Sequence, residues 1–219
     1  GDMVTGAQTI NNKEYYFTSE GVMVRGWHKE NDKWKYYSPK KMSIYGRTFV
    51  EGEKVTGWLP INDKWYYIAE DGYMVTGIYK VGNRKYLFME DGSMKTGWFK
   101  VDGTWYYISP DGELRAQWVK SLSNWYYVDV DGKMVTGYQT INGAKYYFAS
   151  SGLMQKDWFK INGEDYYAAS SGTIQAQWVK SGRNWYYVDT DGKMVTGDYI
   201  IDGKVNYFDN QGLWMNKMN

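Results

Sequence analysis

Short runs of aromatic and β-branched residues alternate with polar ones along the whole chain, and glycines punctuate them at a fixed interval. Gly52, Gly72, Gly92, Gly112, Gly132, Gly152, Gly172, Gly192 and Gly212 keep an unbroken spacing of 20. A period of this length marks a repeat architecture, which must be recognised before any argument about domains. Gly21 belongs to the series but precedes Gly52 by 31, so about eleven extra residues intervene. The segment from Lys40 to Gly46 lies there and reads as a degenerate or compressed unit.

One unit runs from Gly97-Trp98-Phe99-Lys100-Val101 through Asp102-Gly103 to Thr104-Trp105-Tyr106-Tyr107-Ile108 and ends at Asp111-Gly112. Two strand-like runs flank a dipeptide that takes positive φ readily, so the unit is predicted to be a tight β-hairpin. Asn142-Gly143, Asn162-Gly163 and Asp202-Gly203 repeat the signal in phase. A lone hairpin is marginal in water, whereas stacked copies bury one another's faces. The expected fold is all-β, a solenoid or superhelix of stacked hairpin repeats of about 20 residues. Residues 1–219 are expected to form a single repeat module, irregular near 38–51, because no Pro-, Gly- or Ser-rich linker interrupts the series. The opening Gly1-Asp2-Met3-Val4-Thr5-Gly6 reads as the tail of a repeat already under way, as in a C-terminal region of something longer.

Alternate side chains of a strand face opposite ways. One face of the second strand carries Tyr15/Phe17, Tyr66/Ile68, Tyr86/Phe88, Tyr126/Val128, Tyr146/Phe148, Tyr166/Ala168 and Tyr186/Val188, as a shared packing face requires. The other face opens on Glu14, Trp34, Trp65, Lys85, Trp105, Trp125, Lys145, Asp165, Trp185 or Val205. Burying unpaired charge is expensive, so this position is not uniform core and its tryptophans are expected to be partly exposed. Seven residues upstream runs a second column: Trp27, Trp58, Trp98, Trp118, Tyr138, Trp158 and Trp178, broken by Ile78 and Asp198. Rings held across a groove make either a stacking platform for sugars or a cage for a quaternary ammonium. A column that only sealed hairpin to hairpin would not tolerate Asp165 and Lys145.

Composition narrows the chemistry. The chain has 23 Tyr, 12 Trp and 7 Phe, rings that pack on one side and meet water or a ligand on the other. Lys plus Arg number 26 against 25 acidic residues, so no global field draws nucleic acid or an anionic membrane. Without Cys there is no disulfide, thiolate nucleophile or thiolate metal site. No apolar run approaches the roughly 18 residues of a membrane span, and no signal peptide opens the sequence.

The pieces Thr96-Gly97-Trp98, Gly103-Thr104-Trp105-Tyr106-Tyr107 and Asp131-Gly132-Lys133-Met134-Val135-Thr136-Gly137 resemble the choline-binding and related cell-wall-binding repeats of Gram-positive surface proteins, autolysins and phage lysins. The resemblance covers almost the whole chain and is weakest between residues 38 and 51 and after Gly212. It implies a left-handed superhelix of hairpins, secreted and held at the bacterial cell surface or cell wall, with choline sites between consecutive units. Carried onto this chain, the complete sets are Trp98, Trp105 and Tyr127; Trp118, Trp125 and Tyr147; and Trp178, Trp185 and Tyr207, the third member of each taken from strand parity. Trp27 with Trp34, Trp58 with Trp65, and Trp158 are additional candidates, expected to be weaker because of the irregular segment, Leu87 and Asp165 respectively. Met134 and Met154 either line the first two sites or fill gaps in the core.

The implied role is non-catalytic recognition of choline or phosphocholine on teichoic acid, without cofactor or metal. Glucan-binding repeats share the general pattern, so carbohydrate binding, of α-glucan or a host glycan, is the alternative, with a purely structural spacer behind it. His28 is the single histidine, which excludes a two-histidine metal site within one chain. Asp129-Val130-Asp131-Gly132 and Asp189-Thr190-Asp191-Gly192 look like calcium loops, but the first ligand position holds Tyr127 or Tyr187 and the closing one Tyr138 or Asp198, so they read as turns. No pair of carboxylates is placed for glycosidase work.

Overall fold

The computed structural model describes residues 3–215, in which every regular element is a β-strand, 23 in all, numbered β1 to β23 along the chain. Five-residue strands pair as antiparallel hairpins across two-residue turns. In β16 (Gly137–Ile141) and β17 (Ala144–Phe148), Tyr138 stands opposite Tyr147 and Ile141 opposite Ala144. The turn residues Asn142 and Gly143 have φ of 50° and 81°, the left-handed pair that matches the twist of the flanking strands. The dipeptide signal read from the sequence is therefore the turn itself, and the all-β architecture of stacked hairpins follows as expected.

The hairpins belong to two compact units, Gly1–Phe99 with Ile108–Arg115, and Lys100–Tyr107 with Ala116–Asn219. In the first, β13 (Glu113–Leu114) joins the hairpin of β9 (Gly77–Val81) and β10 (Arg84–Phe88) as a third strand. The compressed segment is a small hairpin of its own, β5 (Met42–Ile44) and β6 (Arg47–Phe49), turning at Tyr45-Gly46. Its Ile44 and Phe49 are buried with Tyr36, Val55, Leu59 and Ile68.

The constant column of the second strand forms the core. Ile68, Phe88, Ile108, Val128, Phe148, Ala168, Val188 and Phe208 are all buried. After each hairpin the chain turns at the 20-residue glycine and runs back as a short bridge, Met134 opposite Val128 and Met154 opposite Phe148. The same bridging residue reaches one hairpin further back: Met154 N–H donates to the Trp125 carbonyl at 2.9 Å and Met74 N–H to that of Trp34 at 2.7 Å. The glycine in the series has two reasons to be glycine. Gly172 has φ +86°, and a Cβ there would collide with Met154 Sδ; Gly92 stands in the same relation to Met74.

Candidate functional site

In the ring clusters within each unit, the variable face of one hairpin meets the constant face of the next regular hairpin. In β14 (Gln117–Ser121) and β15 (Asn124–Val128), Trp118 is opposite Tyr127 and Lys120 opposite Trp125, so both tryptophans project from one face along a diagonal. Their ring centroids are 6.3 Å apart and nearly perpendicular, at 86°. Tyr146 from β17 closes a third side, 4.9 Å from Trp118 at 71°. Met154, fixed by its bond to the Trp125 carbonyl, completes a cavity of about 410 Å³ whose other lining residues are Lys156, Ser170 and Ser171.

The pattern recurs. Trp27 and Trp34 stand 6.5 Å apart at 82°, with Tyr66 5.2 Å from Trp27 and Met74 beside them around about 280 Å³. Here the third ring comes from beyond the small inserted hairpin, which the stacking passes over. Trp58 and Trp65 are 6.2 Å apart at 84°, with Tyr86 4.8 Å from Trp58 and Met94 in the lining of a cleft of about 770 Å³. Trp178 and Trp185 repeat the pair at 6.4 Å and 84°. In that last cluster Asn206 occupies the place of Tyr146, and Trp214 takes that of Met154. Trp214 lies 5.3 Å from Trp178 and donates its indole N–H to Asn206 Oδ1 at 3.2 Å.

Several expectations need correcting. Strand parity assigns the third ring to the wrong face, because the partner of a variable face is a constant face. Tyr147 does not join Trp118 and Trp125; it stacks on Phe159 at 5.5 Å and packs against Tyr138 at 4.9 Å. Tyr207 is exposed opposite Asp198, and the ring beside Trp178 is Trp214. Tyr127 packs 5.1 Å from Trp118 within its own hairpin. Trp98 belongs to the first compact unit while Trp105, Tyr127 and Met134 belong to the second, where Met134 N–H donates to the Trp105 carbonyl at 2.9 Å. Leu87 does not weaken the Trp58 cluster, since Tyr86 supplies its ring, and the irregular segment leaves the Trp27 set whole.

Trp158 finds Tyr186 at 5.5 Å, but Asp165 replaces the second indole and pairs with Lys160 at 2.7 Å. At Tyr138 the second indole is Lys145, whose ammonium bonds Asp191 Oδ1 at 2.6 Å while Tyr138 Oη donates to the Asp191 carbonyl at 2.8 Å. Partial exposure of the variable column holds: Trp34, Trp105, Trp125 and Trp185 are all exposed.

Perpendicular rings and a thioether form three sides of the cluster, a surround that suits a cation unable to donate a hydrogen bond; in the Trp118 cavity Lys156, Ser170 and Ser171 line the remaining side. Lys120 already holds its ammonium 5.8 Å from the Trp125 ring, and Lys180 stands 5.7 Å from Trp185. The Trp27 cavity and the Trp58 cleft of the first unit also carry carboxylates. Asp91 lines the Trp27 cavity and Asp111 the Trp58 cleft. Hydrogen bonds from Ser93, with the Lys64 ammonium behind them, hold Asp91 down to about 2. The Ser109 hydroxyl and the Arg115 guanidinium do the same for Asp111, also to about 2. The equivalent position of the Trp118 cavity is the uncharged Ser171. Among the described residues no group of three or more His, Asp or Glu side chains is placed to hold a metal ion.

A model of the choline-binding repeat matches residues 4–42, 55–85, 75–118, 135–174 and 176–217, and one of a cell-wall-binding repeat matches 117–134. The structure is similar to that of CbpJ from Streptococcus pneumoniae TIGR4, at 26% identity and a TM-score of 0.67, over 97% of this chain and 94% of that one. Choline binding protein F from Streptococcus pneumoniae, at 24% identity, shares the fold with a TM-score of 0.65 over 97% and 93% of the two chains. The modular autolysin LytC of the same organism shares it at 21% identity and a TM-score of 0.55, over 97% of this chain and 53% of LytC. No curated protein sequence matches. Repeats of this kind are non-catalytic binding modules associated with the surface and cell wall of Gram-positive bacteria. With matches over most of its length and the hairpin stack they require, the chain belongs to the choline-binding repeat family.

Proposed function

We propose that the ring clusters bind choline or phosphocholine groups displayed along teichoic acid and so attach the protein to the cell wall. The observation that carries this reading is the Trp118, Trp125, Tyr146 and Met154 cavity, whose rings and thioether border a space of about 410 Å³. A trimethylammonium group keeps its charge yet cannot hydrogen-bond, so each favourable ring contributes about 0.5–2 kcal/mol with little hydration to replace. Single pockets of this kind are weak. Several of them engaging one polymer raise the effective affinity by about 10²–10⁴ without a new type of contact.

Calorimetric titration with choline chloride, against sodium chloride of equal ionic strength, is expected to give saturable heat and a raised melting temperature. Absence of both at tens of millimolar choline, roughly what pockets of millimolar affinity need to fill, would reject the reading and direct attention to glycans.

The carboxylates add a pH signature. Asp91 and Asp111 stay ionised far below the usual carboxylate range, so choline affinity in the first unit should be flat from pH 7 to about 4 and fall as pH approaches 2. Because their pKa values are depressed on folding, the stability they add is present above the unfolded value and lost as pH drops through the folded one. Both side chains are largely exposed, so the affinity is the more sensitive readout. A fall in affinity already between pH 5 and 4 would mean that these carboxylates are not held down.

A further inference from the structure

The inserted hairpin breaks the 20-residue period, and its tip touches the Trp58 cluster. Its turn holds Tyr45 at φ 46° followed by Gly46 at 78°, a left-handed pair that throws the phenol outward from a base anchored by buried Ile44 and Phe49. The Tyr45 ring stacks on Trp65, with centroids 5.7 Å apart and planes 24° apart, yet remains 77% exposed. Trp34, Trp125 and Trp185 have no such partner and are exposed, whereas Trp65 is half-buried. The Trp58 cleft, about 770 Å³, is also larger than the Trp118 and Trp27 cavities, about 410 and 280 Å³, and than the cleft of about 520 Å³ beside Trp34 and Met74. The added space is polar: Lys64, Arg84, Lys95, Ser93 and Asp111 line it beyond the rings. Lys64 and Arg84 pair with Asp91 and Glu113 at 3.1 and 3.6 Å, while Lys95 rests 5.8 Å from the Phe99 ring.

We infer that the Trp58 cleft is a two-part site that takes choline together with its carrier, a phosphocholine-substituted sugar, and not choline alone. This rests on the choline reading above. Trp58, Trp65 and Tyr86 hold the trimethylammonium. Lys95, with Arg84 and Lys64 nearby, faces the phosphate, and Tyr45 offers an exposed ring to the apolar face of a pyranose, the amphipathic use that suits tyrosine. The Trp118 cavity has no counterpart of Tyr45 and should register the ammonium chiefly.

Methionine methyl NMR separates the sites, since Met94 reports the Trp58 cleft and Met154 the Trp118 cavity. Choline chloride and a phosphocholine-substituted methyl hexoside are titrated in parallel. The hexoside is expected to bind about tenfold more tightly than choline at Met94, the worth of about one good added contact, and within about threefold of it at Met154. Tyr45→Asn keeps a residue that favours the turn geometry while removing the ring. It should bring the Met94 ratio of hexoside to choline affinity within about threefold. Lys95→Gln should lower the ratio without touching the turn. If the hexoside gains nothing at Met94 while choline shifts both methyls, or if both variants keep the wild-type ratio, this inference fails and the choline reading stands. If choline shifts neither methyl, both fall.

Discussion

Trp118→Ala is expected to lose about 3–5 kcal/mol of stability together with the ligand response of Met154, whereas Trp125→Ala should lose the response and about 1 kcal/mol or less. The two indoles face the same cavity but stand on different foundations. Trp118 contacts Trp125, Tyr127, Tyr146 and Phe148 at centroid distances of 6.3, 5.1, 4.9 and 5.9 Å, tying its own hairpin to the next. Its removal empties a junction in a fold whose stability is a sum of repeat and neighbour-interface terms. Trp125 is 38% exposed, its ring neighbour is Trp118, and the Lys120 ammonium lies 5.8 Å from its ring. Thermal melts of both variants with a choline titration of each separate the roles. Equal destabilisation by the two substitutions would show that the variable column is structural after all.

A second large effect is expected where two deviations from the repeat compensate each other. In the hairpin of β18 (Asp157–Ile161) and β19 (Glu164–Ala168), Ala168 occupies the buried position held by Val128 and Val188 in sibling hairpins. Phe159 stands where they have Val119 and Val179, and it packs in one cluster with Ala168 and Ile174. The large ring fills the volume that the small side chain leaves. Phe159→Val should therefore cost about 2–3 kcal/mol through a cavity, and Ala168→Val about 1–3 kcal/mol through crowding. The double variant should recover to within about 1 kcal/mol of the parent, a coupling that only residues in contact show. Strict additivity in urea melts would refute the compensation.

Much of this architecture is legible in the sequence, because hairpin repeats are specified locally. Asn142-Gly143 and its counterparts fix the turn, the turn fixes the register, and the register fixes which face each aromatic column occupies. What a single unit does not encode is which face of its neighbour it meets. Tyr146 looks like core because its column is tyrosine in most units, and Tyr147 looks available because it shares a strand face with the variable position. Stacking variable face on constant face reverses those roles. The same step explains Tyr66 and Tyr86, and why Leu87 carries no penalty. Trp214 was hidden differently: only after Met154 and Tyr146 are seen side by side does the pair Trp214 and Asn206 read as an exchange. The inserted hairpin looked like a degenerate repeat because its length hides that it is a complete turn, with its own buried anchors and an aromatic tip.

The seating of a methionine against glycines of the 20-residue series, as at Gly92, Gly112, Gly152, Gly172 and Gly212, gives the protein a particular chemical vulnerability. The chain has no cysteine to absorb oxidants, so thioethers are its reactive sulfur. Met74, Met94 and Met154 sit where the ring clusters close. Conversion to the sulfoxide adds an oxygen and a dipole to a side chain fitted against a backbone that leaves no room for a Cβ. The lesion is polar, chiral and reversible by sulfoxide reductases. Oxidation of these residues would thus loosen the ring clusters from the inside, repeat by repeat, and a sulfoxide reductase would reverse the damage without new synthesis.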